Sequence, residues 1–123
     1  MTEQKIRTVI LYEHYFTEFI QKQRQKVKDK ILWTIRMVET QPLLSAEYFK
    51  HKENTVGLYK TRVHHGGDAI RIFCFFDSGR LIVLGNAFHK KTQKTPAHEI
   101  VRALKIKAAY EKENNPQNTR RIH

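Results

Sequence analysis

The stretch that most constrains how this 123-residue chain folds is residues 56–96, VGLYKTRVHHGGDAIRIFCFFDSGRLIVLGNAFHKKTQKTP. It holds three short runs rich in β-branched and aromatic residues: GLYKTRV, AIRIFCFF and RLIVLGNAF. His65-Gly66-Gly67-Asp68 separates the first two runs, and Asp77-Ser78-Gly79 separates the second from the third. Glycine supplies the positive φ that tight turns require, so the stretch predicts a three-stranded antiparallel meander.

The rest of the chain has to cover that sheet. Residues 5–12 (KIRTVILY) read as a further strand with both faces half covered. From Glu13 the apolar period lengthens: Phe16, Ile20, Val27, Ile31, Ile35 and Val38 recur at helical spacing. Lys22, Arg24, Lys26, Lys28 and Lys30 make the opposite side basic, and the wholly polar Gln21-Lys22-Gln23 predicts a break. A helical hairpin over residues 14–21 and 24–40 results. Trp33 and Met37 stand off its apolar stripe. Pro42 ends the second helix, because the residue before proline is disfavoured in the α region. Residues 42–55 form a connector anchored by Leu43, Leu44, Tyr48 and Phe49. Thr95 as N-cap, Pro96 and Glu99 open a last helix, with Ala97, Ile100, Val101, Leu104 and Ala108 as its buried stripe. The expected fold class is α+β: an antiparallel sheet of four strands flanked by the hairpin and the C-terminal helix. Residues 1–113 are expected to form one domain, and the apolar-poor residues 114–123 a flexible basic tail.

Charge narrows the function. Twenty-three Lys plus Arg against 12 Asp plus Glu give a net charge of +11, which points to a polyanionic partner. The one cysteine, Cys74, excludes an internal disulfide and reads as a small buried side chain. With no signal pattern at the start and no apolar run long enough to span a bilayer, the expectation is a soluble protein of a reducing cytoplasm.

Some of that charge lies inside predicted strands, where an unsolvated cation is costly. By strand alternation Lys60 and Arg62 share a face, and Arg71 shares one with Phe73 and Phe75 in the middle strand. Lys90, Lys91 and Lys94 follow the last strand, and Lys50, His51 and Lys52 precede the first. If Arg71 points the same way as Lys60 and Arg62, these cations form a surface for a phosphodiester backbone. His89 and Lys94 could also meet phosphates, and Phe73, Phe75 or Phe88 could stack on a base. RNA cleavage by attack of the 2′-OH on its own phosphate needs no metal. It needs charge stabilised on the phosphorane, a task suited to Arg, and proton transfer by Lys or His. Neighbouring cations lower a Lys pKa toward the useful range. No cofactor is expected. His64 and His65 are adjacent, so their rings diverge, and no Asp, Glu or Cys nearby has metal-ligand spacing. No phosphate-binding glycine loop is present, since Gly66-Gly67 is a turn.

LYKTRV, AIRIFCFFDSGRLIVLGNAFHKKTQKTP and HEIVRALK, with YFKH before the meander, resemble the RelE/HigB-type toxins of bacterial toxin–antitoxin modules, in their phage-derived branch. FHKKTQKTP is the most specific piece. The resemblance implies a compact RelE-like fold and a metal-independent mRNA endonuclease acting on the ribosome. It also implies an antitoxin partner, often one with a helix-turn-helix domain. The family's catalytic positions fall on Lys60, Arg62, Arg71, Lys90, Lys91 and Lys94. RNA contacts are expected from Lys50, Lys52, His89, Phe73 and Phe88. The tyrosine of RelE toxins has no clear counterpart, because Tyr110 lies late in the last helix, and the histidine–aspartate cluster of some HigB toxins is missing. A toxin of the same fold acting on DNA gyrase, as ParE-type relatives do, and a non-catalytic RNA-binding module are the competing readings.

Overall fold

The computed structural model describes residues 4–45, 49–79 and 81–114. Tyr48 and residues 115–123, the greater part of the expected tail, lie outside them. In chain order the elements are β1 (Thr8–Leu11), α1 (Tyr15–Gln21), α2 (Gln25–Thr40), β2 (Lys50–His51), β3 (Tyr59–His65), β4 (Asp68–Phe76), β5 (Leu81–His89) and α3 (Ala97–Asn114). The fold is α+β, with a mostly antiparallel sheet in the order β1-β5-β4-β3-β2.

The meander is the centre of the sheet. His65 pairs with Asp68 across Gly66 and Gly67, and Gly66 takes φ +58°, a conformation in which a side chain is strained. Two features depart from the sequence reading. β1 runs parallel to β5, with Ile10 opposite Val83. A two-residue turn forces antiparallel pairing, but a long crossover does not, and the helical hairpin provides one. The connector also adds a short edge strand, β2, with Lys50 opposite Lys60.

Each face of the sheet has its own cover. Phe16, Val27, Ile31 and Val38 of α1 and α2 pack on Val63, Ile70, Ile72, Cys74, Ile82, Leu84 and Ala87. Cys74 is fully buried there, and burial pushes its thiol up to about 12. β1 is tied to the end of α2. The Arg7 guanidinium donates to the carbonyls of Val38 (2.9 Å), Gln41 (2.6 Å) and Pro42 (2.9 Å), satisfying carbonyls that a helix end leaves without partners.

α3 crosses the other face but covers only the part nearer β1 and β5. Ala103 closes over Leu58, Phe73 and Phe88, and Ile106 and Tyr110 over Phe75 and Val83. The Asn86 amide donates to the Glu99 carbonyl (3.2 Å) and carboxylate (2.9 Å), and the Tyr110 hydroxyl donates to Asp77 (2.6 Å). This corrects the expected stripe of α3. Ala103, Ile106 and Tyr110 face the sheet, with Ile100 partly buried, whereas Val101 and Leu104 are 50% and 37% exposed. The helix carries two apolar stripes, and its rotation on the sheet selects one. Among the described residues no helix is long and apolar enough to cross a membrane.

Candidate functional site

The part of the sheet that α3 leaves uncovered is basic. Arg62 and Arg71 are directly opposite in the β3–β4 register, as are Lys50 and Lys60 in the β2–β3 register. Opposed residues of an antiparallel pair project to the same face, so all four side chains share it. Their strand neighbours Tyr59, Thr61, Val63, Ile70 and Ile72 face the helical hairpin instead. Lys90 joins from the loop after β5, where its amide donates to the Ala69 carbonyl at 2.8 Å. An open hollow of about 420 Å³ lies at this place, lined by Ala69, Arg71, Lys90, Lys91, Thr92 and Gln93.

The electrostatics follow from that crowding. Burial, then Lys90, Arg62, Lys52 and Arg71 in turn, bring the Lys60 ammonium down from 10.5 to about 8. Lys90 is lowered by burial and by Arg71, Arg62 and Lys52. Arg71 is lowered by burial and by Arg62. Among the described residues none of Lys50, Lys52, Lys60, Arg62, Arg71, Lys90 or Lys91 forms an ion pair. Arg71 donates one bond, to the Ile70 carbonyl (3.1 Å), and the buried Nε atoms of Arg62 and Arg71 have no acceptor. Like charges opposed across strands destabilise a sheet, and buried N–H groups without acceptors add to that cost.

The sequence-derived set is therefore brought together in part. Lys60, Arg62, Arg71, Lys90 and Lys91 converge, with Lys50 and Lys52 beside them. Lys94 is exposed on the same loop and does not line the hollow; its carbonyl accepts the Thr92 hydroxyl at 2.8 Å. Three expected contacts do not fit. His89 faces the helical hairpin, with Nε2 3.0 Å from Gln23 Oε1, Nδ1 4.0 Å from Asp68 and its ring against Phe19. Asp68 is held by Arg24 at 2.6 Å, which lowers its carboxyl below the usual range. Phe73 and Phe88 are 1% and 6% exposed beneath α3, so neither ring is open to a base. Phe73 reaches the α3 side by ordinary alternation along β4, and the extra residue that β5 carries opposite Ile72–Cys74 turns Phe88 to the same side.

Four residues of the site escaped the sequence reading. Ala69, Thr92 and Gln93 line the hollow and carry no charge to announce them. His64 lies two residues beyond Arg62 on β3, opposite Ala69, and is exposed on the basic face. Continuing the alternation of Lys60 and Arg62 by one step finds it. Among the described residues no group of three or more His, Cys, Asp and Glu side chains could hold a metal ion.

The face that α3 leaves open is basic, and the small α+β sheet that carries it is compatible with the RelE-like architecture. Residues 18–108 match the family described as phage-derived protein Gp49-like (DUF891), and the chain belongs to that family, which is grouped with the toxins of toxin–antitoxin modules. A search of curated proteins found no match.

Proposed function

We propose that the protein is the toxin of a toxin–antitoxin module and a metal-independent endoribonuclease that cuts mRNA in association with the ribosome. The observation that carries this reading is the convergence of Lys60, Arg62, Arg71 and Lys90 on one open face without acidic partners among the described residues. Membership of the Gp49-like family supports the toxin assignment and an antitoxin partner, for which a helix-turn-helix protein is the expected kind.

The chemistry follows from the residues. Arg62 and Arg71 hold the scissile phosphate and stabilise charge as the phosphorane forms, since guanidinium groups match phosphate oxygens and stay charged. Lys60, brought to about 8, has about a tenth of its amine free at pH 7 and takes the proton of the attacking 2′-OH. Lys90, Lys91, Lys50 and Lys52 hold flanking phosphates. The products are a 2′,3′-cyclic phosphate and a 5′-OH.

Expression of the protein alone tests the reading. Growth should arrest, cut mRNA should carry cyclic-phosphate ends, and Arg71→Ala should relieve both. Intact mRNA with ongoing translation and DNA damage would overturn it in favour of a gyrase poison.

A further inference from the structure

The proposed reaction needs a second proton. When the 2′-oxygen bonds to phosphorus, the P–O5′ bond breaks and the departing oxygen must be protonated. Attack and departure lie on opposite sides of phosphorus, so base and acid must approach from opposite ends. On β3, Lys60, Arg62 and His64 occupy one face at two-residue steps. Lys60 and His64 are therefore about 13 Å apart at their Cα atoms, with Arg62 midway. Both side chains are long enough to lean toward a phosphate held over Arg62 and Arg71 from opposite sides. The residue opposite His64 is Ala69, a small side chain that itself lines the hollow. Among the described residues, the other histidines near this region point away. His65 lines a separate hollow with Lys26, Lys30 and Trp33, and His89 is against Gln23 and Phe19.

We infer that His64 is the general acid of the site, the partner of Lys60 across the scissile phosphate. This rests on the endoribonuclease reading above. In the forward step the Lys60 amine accepts the 2′ proton as the O2′–P bond forms. The His64 imidazolium gives its proton to O5′ as the P–O5′ bond breaks. Lys60 ends as ammonium and His64 as neutral imidazole, so charge and protons balance. The charged groups that share this face with His64 are Arg62 on its own strand and Arg71 on β4, and Lys90 follows on the loop bonded to Ala69. The negative phosphate offsets their charge while the imidazolium is in place.

The test is leaving-group rescue. An mRNA is prepared with one 5′-bridging sulfur at the position where the wild-type protein cuts, and is offered with and without ribosomes. A thiolate leaves without protonation. His64→Ala should slow cleavage of the oxygen substrate by about 10²–10³-fold and recover to within about tenfold of wild type on the sulfur substrate. Lys60→Ala should stay slow on both, because the 2′-OH still needs a base. His64→Gln, which keeps a polar side chain of similar size, should behave like His64→Ala, with unchanged thermal unfolding for both. Equal loss on the two substrates, or no loss on either, overturns the assignment of His64. Wild-type protein that cuts neither substrate overturns the nuclease reading, and this assignment with it.

Discussion

Arg62 and Arg71 stand directly opposite each other on neighbouring antiparallel strands, and the buried Nε of each lacks an acceptor. Opposed like charges cost roughly 0.2–1 kcal/mol relative to a neutral pair. Arg71→Met keeps much of the side-chain bulk and removes both the charge and the unpaired N–H. It should raise the stability of the RNA-free protein by about 0.5–1 kcal/mol in urea unfolding at low salt. It should also abolish RNA cleavage. A less stable Arg71→Met protein would mean that the guanidinium is compensated within the fold.

Binding to short single-stranded RNA should weaken steeply with salt, because phosphate contacts release counterions. Replacing Arg62 or Lys60 with Ala should reduce the slope of log K against log salt by about 0.7 each. His89→Ala should leave it unchanged, since that ring contacts Gln23 and Phe19 on the other face. Filter-binding titrations at four or five salt concentrations decide this, and a His89 effect equal to that of Arg62 would contradict the described geometry.

The depressed Lys60 ammonium makes two pH statements. As a base it must be neutral, so on the 5′-bridging sulfur substrate, which needs no general acid, kcat/KM should rise with pH until about 8 and then level off. On the oxygen substrate, loss of the His64 proton should make the profile fall again at higher pH, and Lys60→Arg should remove activity on both. For stability, the folded pKa lies below the ordinary 10.5, so between about 8 and 10.5 the unfolded chain binds more protons at this group. The contribution of Lys60 to stability therefore increases with pH through that window. Tyr12 and Tyr110, pushed up to about 12 by burial first and then by Glu113 and Asp77 respectively, act in the opposite sense above pH 10. Urea midpoints of Lys60→Met against wild type should converge as pH rises from 8 to 10.

Phe73 and Phe88 are core residues. Phe73→Ala should cost about 3–5 kcal/mol of folding stability, and Phe88→Ala a similar amount, because each opens a cavity beneath Ala103 and Ile100. Urea denaturation measures it. A loss under 1 kcal/mol with weaker RNA binding would restore the stacking role.

Much of the fold was legible in the chain because local rules agreed with one another. Glycine turns separated by alternating apolar runs define β3 to β5, and the change to helical period defines α1 and α2 within a residue or so. The polar Gln21-Lys22-Gln23 marked the break between the helices, and Thr95-Pro96 marked the start of α3 within a residue. The cations of the site were legible too, since Lys60, Arg62 and Arg71 interrupt strands that otherwise want apolar side chains.

What the sequence by itself determined was the set of elements and the positive charge within them, because periodicity and turn chemistry act over a few residues. What only the tertiary structure decided was which strands are neighbours and in what register. Parallel pairing of β1 with β5 depends on a crossover path, and α3 carries two apolar stripes of which contact with the sheet buries one. Those long-range choices put Phe73 and Phe88 under a helix, turned His89 to the far face and set Arg62 against Arg71 with His64 beside them. Strand alternation fixes only the relative sides of residues within one strand; the register between strands, set by burial of a whole face, decides which of them meet.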